Sequence, residues 1–304
     1  MARNYVILDV FTDKALSGNP LAVVLDSEGL SDERMLQIAG EFNLSETVFV
    51  CPPTNPLHTA SLRIFTPIFE MPFAGHPTIG SAALLASERF GEISSPQDAV
   101  IVLEEKVGII RCGVKLNTGG ISYAEFDVPS LAKPAMSLGS NELIAAALGI
   151  ELNEIGFENH RPCTMDAGVP FAFIPVRDLT VVEQLKPNAN YWNEAFGSHD
   201  HNNAFIYCRE TVNSQSDFHA RMIHTDSGSF AEDAATGSAA AAFAGTIARF
   251  DEPLDGTHRF TVEQGLEMGR PSIIDLEIDM EKGQIRAQRI GGNAVIVGRG
   301  QLYI

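Results

Sequence analysis

The sequence predicts an α+β fold of two pseudo-symmetric domains, each a curved, mostly antiparallel sheet wrapped around a central buried helix. Three observations carry that prediction. The first is an internal repeat: FAGHPTIGSAA at 73–83 and FAEDAATGSAA at 230–240 share six of eleven letters in register. LRIFT (62–66) and ARMIH (220–224) precede the two copies. The second is the absence of charge between His76 and Glu88 and between Asp233 and Arg249. A helix that is apolar all round must be buried all round. The third is a run of short Val-, Ile- and Phe-rich segments bounded by turn residues in both halves. At 304 residues the chain reads as two domains, 1–127 and 128–304, with the last strand free to pack on the first half. Two similar alanine-rich helices without a common architecture is the competing reading.

The elements follow in order. Strands fit residues 5–11, 21–25, 46–50, 62–65, 100–103, 108–111 and 121–126, with Gly18-Asn19-Pro20 and Pro52-Pro53 as breaks. A helix fits residues 32–43: Ser31 can cap it, Asp32 and Glu33 suit its first turn, and Met35, Ile38, Ala39 and Phe42 share a face. The first central helix spans 77–90. Pro129 and Pro134 mark the joint between halves. In the second half, helices fit 141–148 and 179–186, and the central helix spans 234–249. Strands fit 170–176, 203–208, 219–224, 259–264, 272–278, 284–289 and 293–297, with a turn at 280–283.

Composition narrows the function. Lys plus Arg number 21 against 39 Asp plus Glu, a net charge of −18, which disfavours nucleic acid and anionic membrane surfaces as partners. The N-terminus has no apolar core of a secretory signal, and the longest uncharged run, 234–248, falls short of a membrane span. Cys51, Cys112, Cys163 and Cys208 show no metal-ligand spacing, so a cytoplasmic protein with reduced thiols is expected.

A buried helix can present polar groups only at its ends. Gly75, His76 and Thr78 gather at the start of one copy, and Glu232, Asp233, Thr236 and Ser238 at the start of the other. First-turn N–H groups lack intrahelical partners and the helix dipole favours anions there. Two such ends facing each other across an interdomain cleft would hold a small carboxylate.

At these residues the chain resembles the PhzF-like phenazine-biosynthesis family. GNP (18–20), NLSETVF (43–49), PFAGHPTIG (72–80) and EDAATGSA (232–239) stand in that family's order and spacing, and the resemblance extends over essentially the whole chain. It implies a diaminopimelate-epimerase-like fold and a homodimeric isomerase of trans-2,3-dihydro-3-hydroxyanthranilate type that uses no cofactor. It implies Glu46 as the acid/base, His76 and Asp233 supporting proton movement, and Gly75, Gly237 and Ser238 in substrate binding. Ala234 departs from the family's usual proline, which loosens a helix start without removing a catalytic group.

Each residue also has a plainer reading. Glu46 alone is a solvated edge charge, although burial beside Val48 and Phe49 would raise its pKa and suit it to proton transfer near neutral pH. Asp233 alone is a helix N-cap, and His76 a structural histidine. Ser238 can bond back to a carbonyl. The repeat pairs Ser238 with Ser81, for which no chemistry suggests itself. His199-Asp200-His201 reads as a solvated loop, so no metal is expected. Neither repeat copy contains Cys, which excludes a two-thiol racemase. The expected function is an isomerase that moves a proton between carbons of a small, cyclic or unsaturated carboxylic acid. The alternative is a non-catalytic metabolite-binding protein using the same cleft.

Overall fold

The computed structural model describes residues 2–197, 202–226 and 229–304. The chain divides into one unit formed by residues up to Asp127 together with Gly291–Ile304, and another formed by Val128–Ile290. In the first unit β1 (Ala2–Val10) pairs antiparallel with β2 (Asn19–Val24). The helix α1 (Asp32–Phe42) begins where expected: Ser31 Oγ accepts from the Arg34 N–H at 3.2 Å. It buries Met35, Ile38 and Ala39 against Val24, Phe49 and Phe65 on the outer side of the sheet. β3 (Glu46–Cys51) runs parallel to β2, and β4 (Ala60–Phe65) is antiparallel to β3. The short β5 (Glu70–Met71) turns back on β4.

Then comes α2 (Gly75–Phe90), the first central helix, uncharged up to Ser87 and packed against β1, β2 and β3 and against the three strands that follow it. Those are β6 (Gln97–Glu105), parallel to β4, then β7 (Gly108–Leu116) and β8 (Ile121–Asp127) in an antiparallel meander. Gly80 lets α2 approach the sheet: a Cβ there would lie 2.6 Å from Leu21 Cδ2 and 2.7 Å from Val10 Cγ2. Pro77 is tolerated as the third helical residue because first-turn N–H groups have no intrahelical acceptor.

The second unit opens with β9 (Lys133–Pro134) and α3 (Asn141–Leu148), capped by Ser140. β10 (Cys163–Asp166) pairs antiparallel with β9 and with β11 (Pro170–Pro175). α4 (Leu179–Glu183) and α5 (Ala189–Phe196) lead to β12 (Ala204–Cys208), which is parallel to β11. β13 (Phe218–Asp226) and β14 (Ser229–Asp233) form a hairpin ahead of the second central helix, α6 (Gly237–Phe250). β15 (Gly256–Gln264) is parallel to β13, and β16 (Ser272–Glu281) antiparallel to β15. Phe243 of α6 packs against the rings of Phe173, Phe205, Tyr207 and Phe218. On the outer side, α3, α4 and α5 bury Ile144, Val181, Trp192 and Phe196 against Ile174 and Ile206.

The final strand, β17 (Gln284–Tyr303), is one continuous element where two strands were expected. It pairs with β1 along the whole of Ala2–Val10 and also with β8. The pairings β1–β2–β3–β4–β6–β7–β8–β17–β1 therefore close a barrel around α2. The second unit ends at Ile290 and not at the chain end, because β1 and β8 would otherwise present open edges that the last strand satisfies.

Other boundaries moved for local reasons. α2 starts at Gly75, ahead of the expected residue 77, and α6 starts at Gly237, behind the expected 234. The α6 start is late because the Gln264 side chain takes the Thr236 N–H (3.1 Å) and the Asp233 carbonyl (2.7 Å), leaving 234–236 as a link. α4 stops at Glu183, not 186, where Pro187 disfavours helix in the residue before it. α5, β5, β9, β10 and β14 were not anticipated. All four of these strands span five residues or fewer, and β10 and β14 lack strict alternation. Among the described residues no helix is long and apolar enough to cross a membrane.

Both units follow one pairing order: antiparallel, parallel, antiparallel, parallel, antiparallel, over β1–β2–β3–β4–β6–β7 and over β10–β11–β12–β13–β15–β16. Their ion pairs match as well. Glu104 accepts from the N–H groups of Thr54 and Asn55, both at 2.8 Å, and meets His58 Nδ1 at 2.7 Å. Glu263 accepts from Val212 (2.6 Å) and Asn213 (2.9 Å) and meets His219 Nδ1 at 2.8 Å. Arg63 forks onto Glu70, and Arg221 onto Glu232.

Candidate active site

Glu46 is the first residue of β3, opposite Leu21 of β2. Strand alternation puts it on the same face as Val48, toward α2, while Phe49 points to α1. Its side chain is 15% exposed, and Oε2 lies 3.4 Å from Nε2 of His76, the second residue of α2. Thus two expected site residues, distant in sequence, meet at the start of the central helix, with Gly75 buried beside them. On the other side of the imidazole, Asn19 Nδ2 lies 3.5 Å from His76 Nδ1. Burial lowers the His76 pKa to about 3, so the ring is neutral at pH 7. The contact with Glu46 falls short of hydrogen-bond alignment and does not offset that lost hydration.

One turn along α2, Thr78 Oγ1 lies 2.8 Å from both the Ala74 carbonyl and Glu105 Oε1. A hydroxyl has one proton, and the carbonyl can only accept. With that proton on Ala74, the Glu105 contact is made by a protonated carboxyl. Burial pushes Glu105 up to about 8, against the lowering effect of Thr78, which agrees with that assignment. Glu105 was missed in the sequence. Its signal was there: Ile101, Leu103 and Glu105 alternate inward at the end of β6.

In the second unit Asp233 is the last residue of β14 and does not cap α6. The N-cap is Thr236, whose hydroxyl donates to Asp233 Oδ2 at 2.7 Å, so Asp233 acts on the helix start through Thr236. Ser238 is half-buried in the first turn of α6. Here the repeat misleads. Gly80-Ser81 lies in the second turn of α2, whereas the identical letters Gly237-Ser238 open α6. By position in the helix, Gly75-His76 corresponds to Gly237-Ser238, so Ser238 is the counterpart of His76 and not of Ser81. The longer β14 consumes the residues that make the difference.

Two register-matched positions show that the units are chemically unequal. The matched arginines set the register: Arg63 pairs with Phe49 and Arg221 with Ile206, and both Phe49 and Ile206 face the outer helices. Three residues before Phe49 and Ile206, the counterpart of Glu46 is therefore Asn203; five residues before Val24 and Ile174, which pair with them, the counterpart of Asn19 is Val169.

Burial raises the pKa of all four thiols, Cys208 to about 12, so none is activated as a thiolate. Among the described residues Glu158, His160 and Asp251 bring potential metal ligands together. Arg209 already occupies that corner: its Nε lies 3.5 Å from Glu158, and its Nη2 donates to Asp251. The expected loop at His199-Asp200-His201 lies outside the described residues.

A family model described as phenazine biosynthesis-like protein matches residues 8–300. An uncharacterized isomerase of Mesorhizobium japonicum is 51% identical and covers 99% of this chain and 99% of its own. The trans-2,3-dihydro-3-hydroxyanthranilate isomerase of Pseudomonas chlororaphis is 32% identical, over 99% of this chain and 100% of its own. Among solved structures, the PhzF-family phenazine biosynthesis protein of Bacillus anthracis matches with a TM-score of 0.87 at 26% identity, over 100% of both chains.

Proposed function

The chain belongs to the phenazine biosynthesis-like family and is an isomerase of a small molecule, and from that premise we propose that it moves a proton between two carbons of a small, cyclic or unsaturated carboxylic acid. Glu46 is the base that removes the proton and the acid that returns it on the same face of the substrate. The observation that carries this reading is the Glu46 carboxylate, 3.4 Å from a buried neutral imidazole at the opening of α2. A neutral His76 forms no ion pair with Glu46 and lies within reach of its carboxylate. Gly75 and His76 begin α2, where free N–H groups favour a carboxylate. The same reading gives Asp233 a part in supporting proton movement, and Gly237 and Ser238 a part in substrate binding.

The asymmetry of the units supports one base over two. Asn203, an amide with no proton to exchange as an acid, stands where a second Glu46 would stand, and no thiol is activated. We read the units as pseudo-symmetric copies of a sheet wrapped around a helix, supported by their common pairing order and matched ion pairs. In this reading the protein works without a cofactor as a cytoplasmic homodimer, as the family resemblance implies.

Proton exchange in D2O tests the mechanism. Wild type and Glu46→Gln are given trans-2,3-dihydro-3-hydroxyanthranilate and a panel of small unsaturated carboxylic acids, and products are read by NMR and mass spectrometry. Deuterium uptake or a double-bond shift is expected with wild type, falling by about 10²–10⁴-fold in Glu46→Gln. Full turnover by Glu46→Gln would overturn the role of Glu46. Binding of panel acids by both proteins with no exchange in either would favour a metabolite-binding protein.

A further inference from the structure

We propose that Asn19 is a positioning residue that sets the tautomer of His76, directing the ring's single proton to Nε2 and so toward Glu46. The proposal rests on the proton-transfer reading above. A neutral imidazole has one N–H and one acceptor nitrogen, and whatever one nitrogen binds dictates the state of the other. The Asn19 Nδ2 amide donates, and it lies 3.5 Å from Nδ1. Nδ1 is then the acceptor and Nε2 carries the proton, facing Glu46 Oε2 at 3.4 Å. Both contacts lie at the long end of the hydrogen-bond range.

The tautomer has a chemical consequence. With hydrogen on Nε2, the ring favours the Glu46 carboxylate and opposes its protonated form. Glu46 waits as a base, and once loaded it is driven to give its proton back. The opposite tautomer would present a lone pair at Nε2, accept from protonated Glu46 and hold the acid form. An isomerase must both take and return a proton, and Asn19 selects the ring state in which the return is easy.

Two further observations support assigning Asn19 to the chemistry and not only to the turn. The chain is built to deliver it rigidly. Gly18 adopts φ +65°, with space for a Cβ denied by the Val10 carbonyl at 2.3 Å, and Pro20 holds Asn19 extended. Asn19 itself is 1% exposed. The second unit repeats the strand pairing without the residue: Val169 takes the place of Asn19, between Gly168 and Pro170, where Asn203 takes the place of Glu46. At the Asn19 position the amide occurs only in the unit that carries the base.

The test is the long-range 15N–1H imidazole spectrum of the resting, 15N-histidine-labelled full chain at pH 7, with His76 assigned through His76→Gln. Wild type is expected to show neutral His76 protonated at Nε2. In Asn19→Ala both tautomers should be populated. The kcat for proton exchange should fall about 10- to 100-fold with KM nearly unchanged, and the acid limb of the pH profile should move up. Wild-type His76 protonated at Nδ1, or charged, overturns the proposal, and so does an unchanged tautomer in Asn19→Ala. The wild-type spectrum decides even if Asn19→Ala fails to fold. Because the spectrum needs no substrate, failure of the tautomer assignment and failure of the proton-transfer reading remain distinguishable: the D2O exchange reports the second alone.

Discussion

His76 and Glu105 are both neutral at pH 7 because each has lost its water without gaining a well-placed counter-charge. For Glu105 this links stability to pH. Its pKa is about 8 in the folded chain against an ordinary value of 4.5. Between those values the folded state binds the extra proton, so stability falls as pH rises through that window, and the loss is complete above about pH 8. At about 1.4 kcal/mol per pH unit the loss reaches several kcal/mol. Glu105→Gln keeps the shape and a donor for Thr78 while removing the titration. Its unfolding free energy should be nearly flat between pH 6 and 9, where that of wild type declines. Urea melts across that range check it, and parallel declines would show that Glu105 is not the titrating group. The second unit already has an amide at the matching strand end: Gln264 closes β15 as Glu105 closes β6.

At the scale of elements, the central helices govern what the sheets can do. α2 fits inside its barrel only because Gly80 has no side chain, with Leu21 and Val10 both fully buried against it. Gly80→Val would gain some helix propensity, but two methyl groups would be driven into a filled core. Overpacking of that kind costs about 1–3 kcal/mol and exceeds the gain of under about 1 kcal/mol. The expected result is a thermally destabilised protein with weakened proton exchange, because the start of α2 carries His76. A variant as stable as wild type would mean that α2 lies less tightly against β1 and β2 than the contacts require. The paired His58–Glu104 and His219–Glu263 clusters do similar work in each unit: they tie a loop's N–H groups to the end of the strand that follows the central helix.

For the whole molecule the last strand is decisive. Residues 294–303 supply a complete ladder to β1, and β17 also pairs with β8. Deleting residues 294–304 should open the first unit's barrel, abolish amide protection in β1 and β2, and leave β10–β13 of the second unit protected. Hydrogen exchange with mass spectrometry checks this, and retained protection in β1 would overturn it. By itself the sequence determined the mixed fold, the two buried helices and the capped α1, and it singled out Glu46, His76, Asp233 and Ser238 as the residues proposed for the chemistry. Those signals are local: periodicity, charge-free runs, caps and motifs lie within a few residues of each other. Only the tertiary structure decided that β17 crosses back to β1, that α6 starts late enough for Ser238 to match His76, and that Asn19 and Glu105 surround the start of α2. Asn19 lies 57 residues before the histidine it faces, and Thr78 lies 27 before its carboxyl partner. No local pattern encodes such a contact; it exists only once strand register and helix packing have closed the chain on itself.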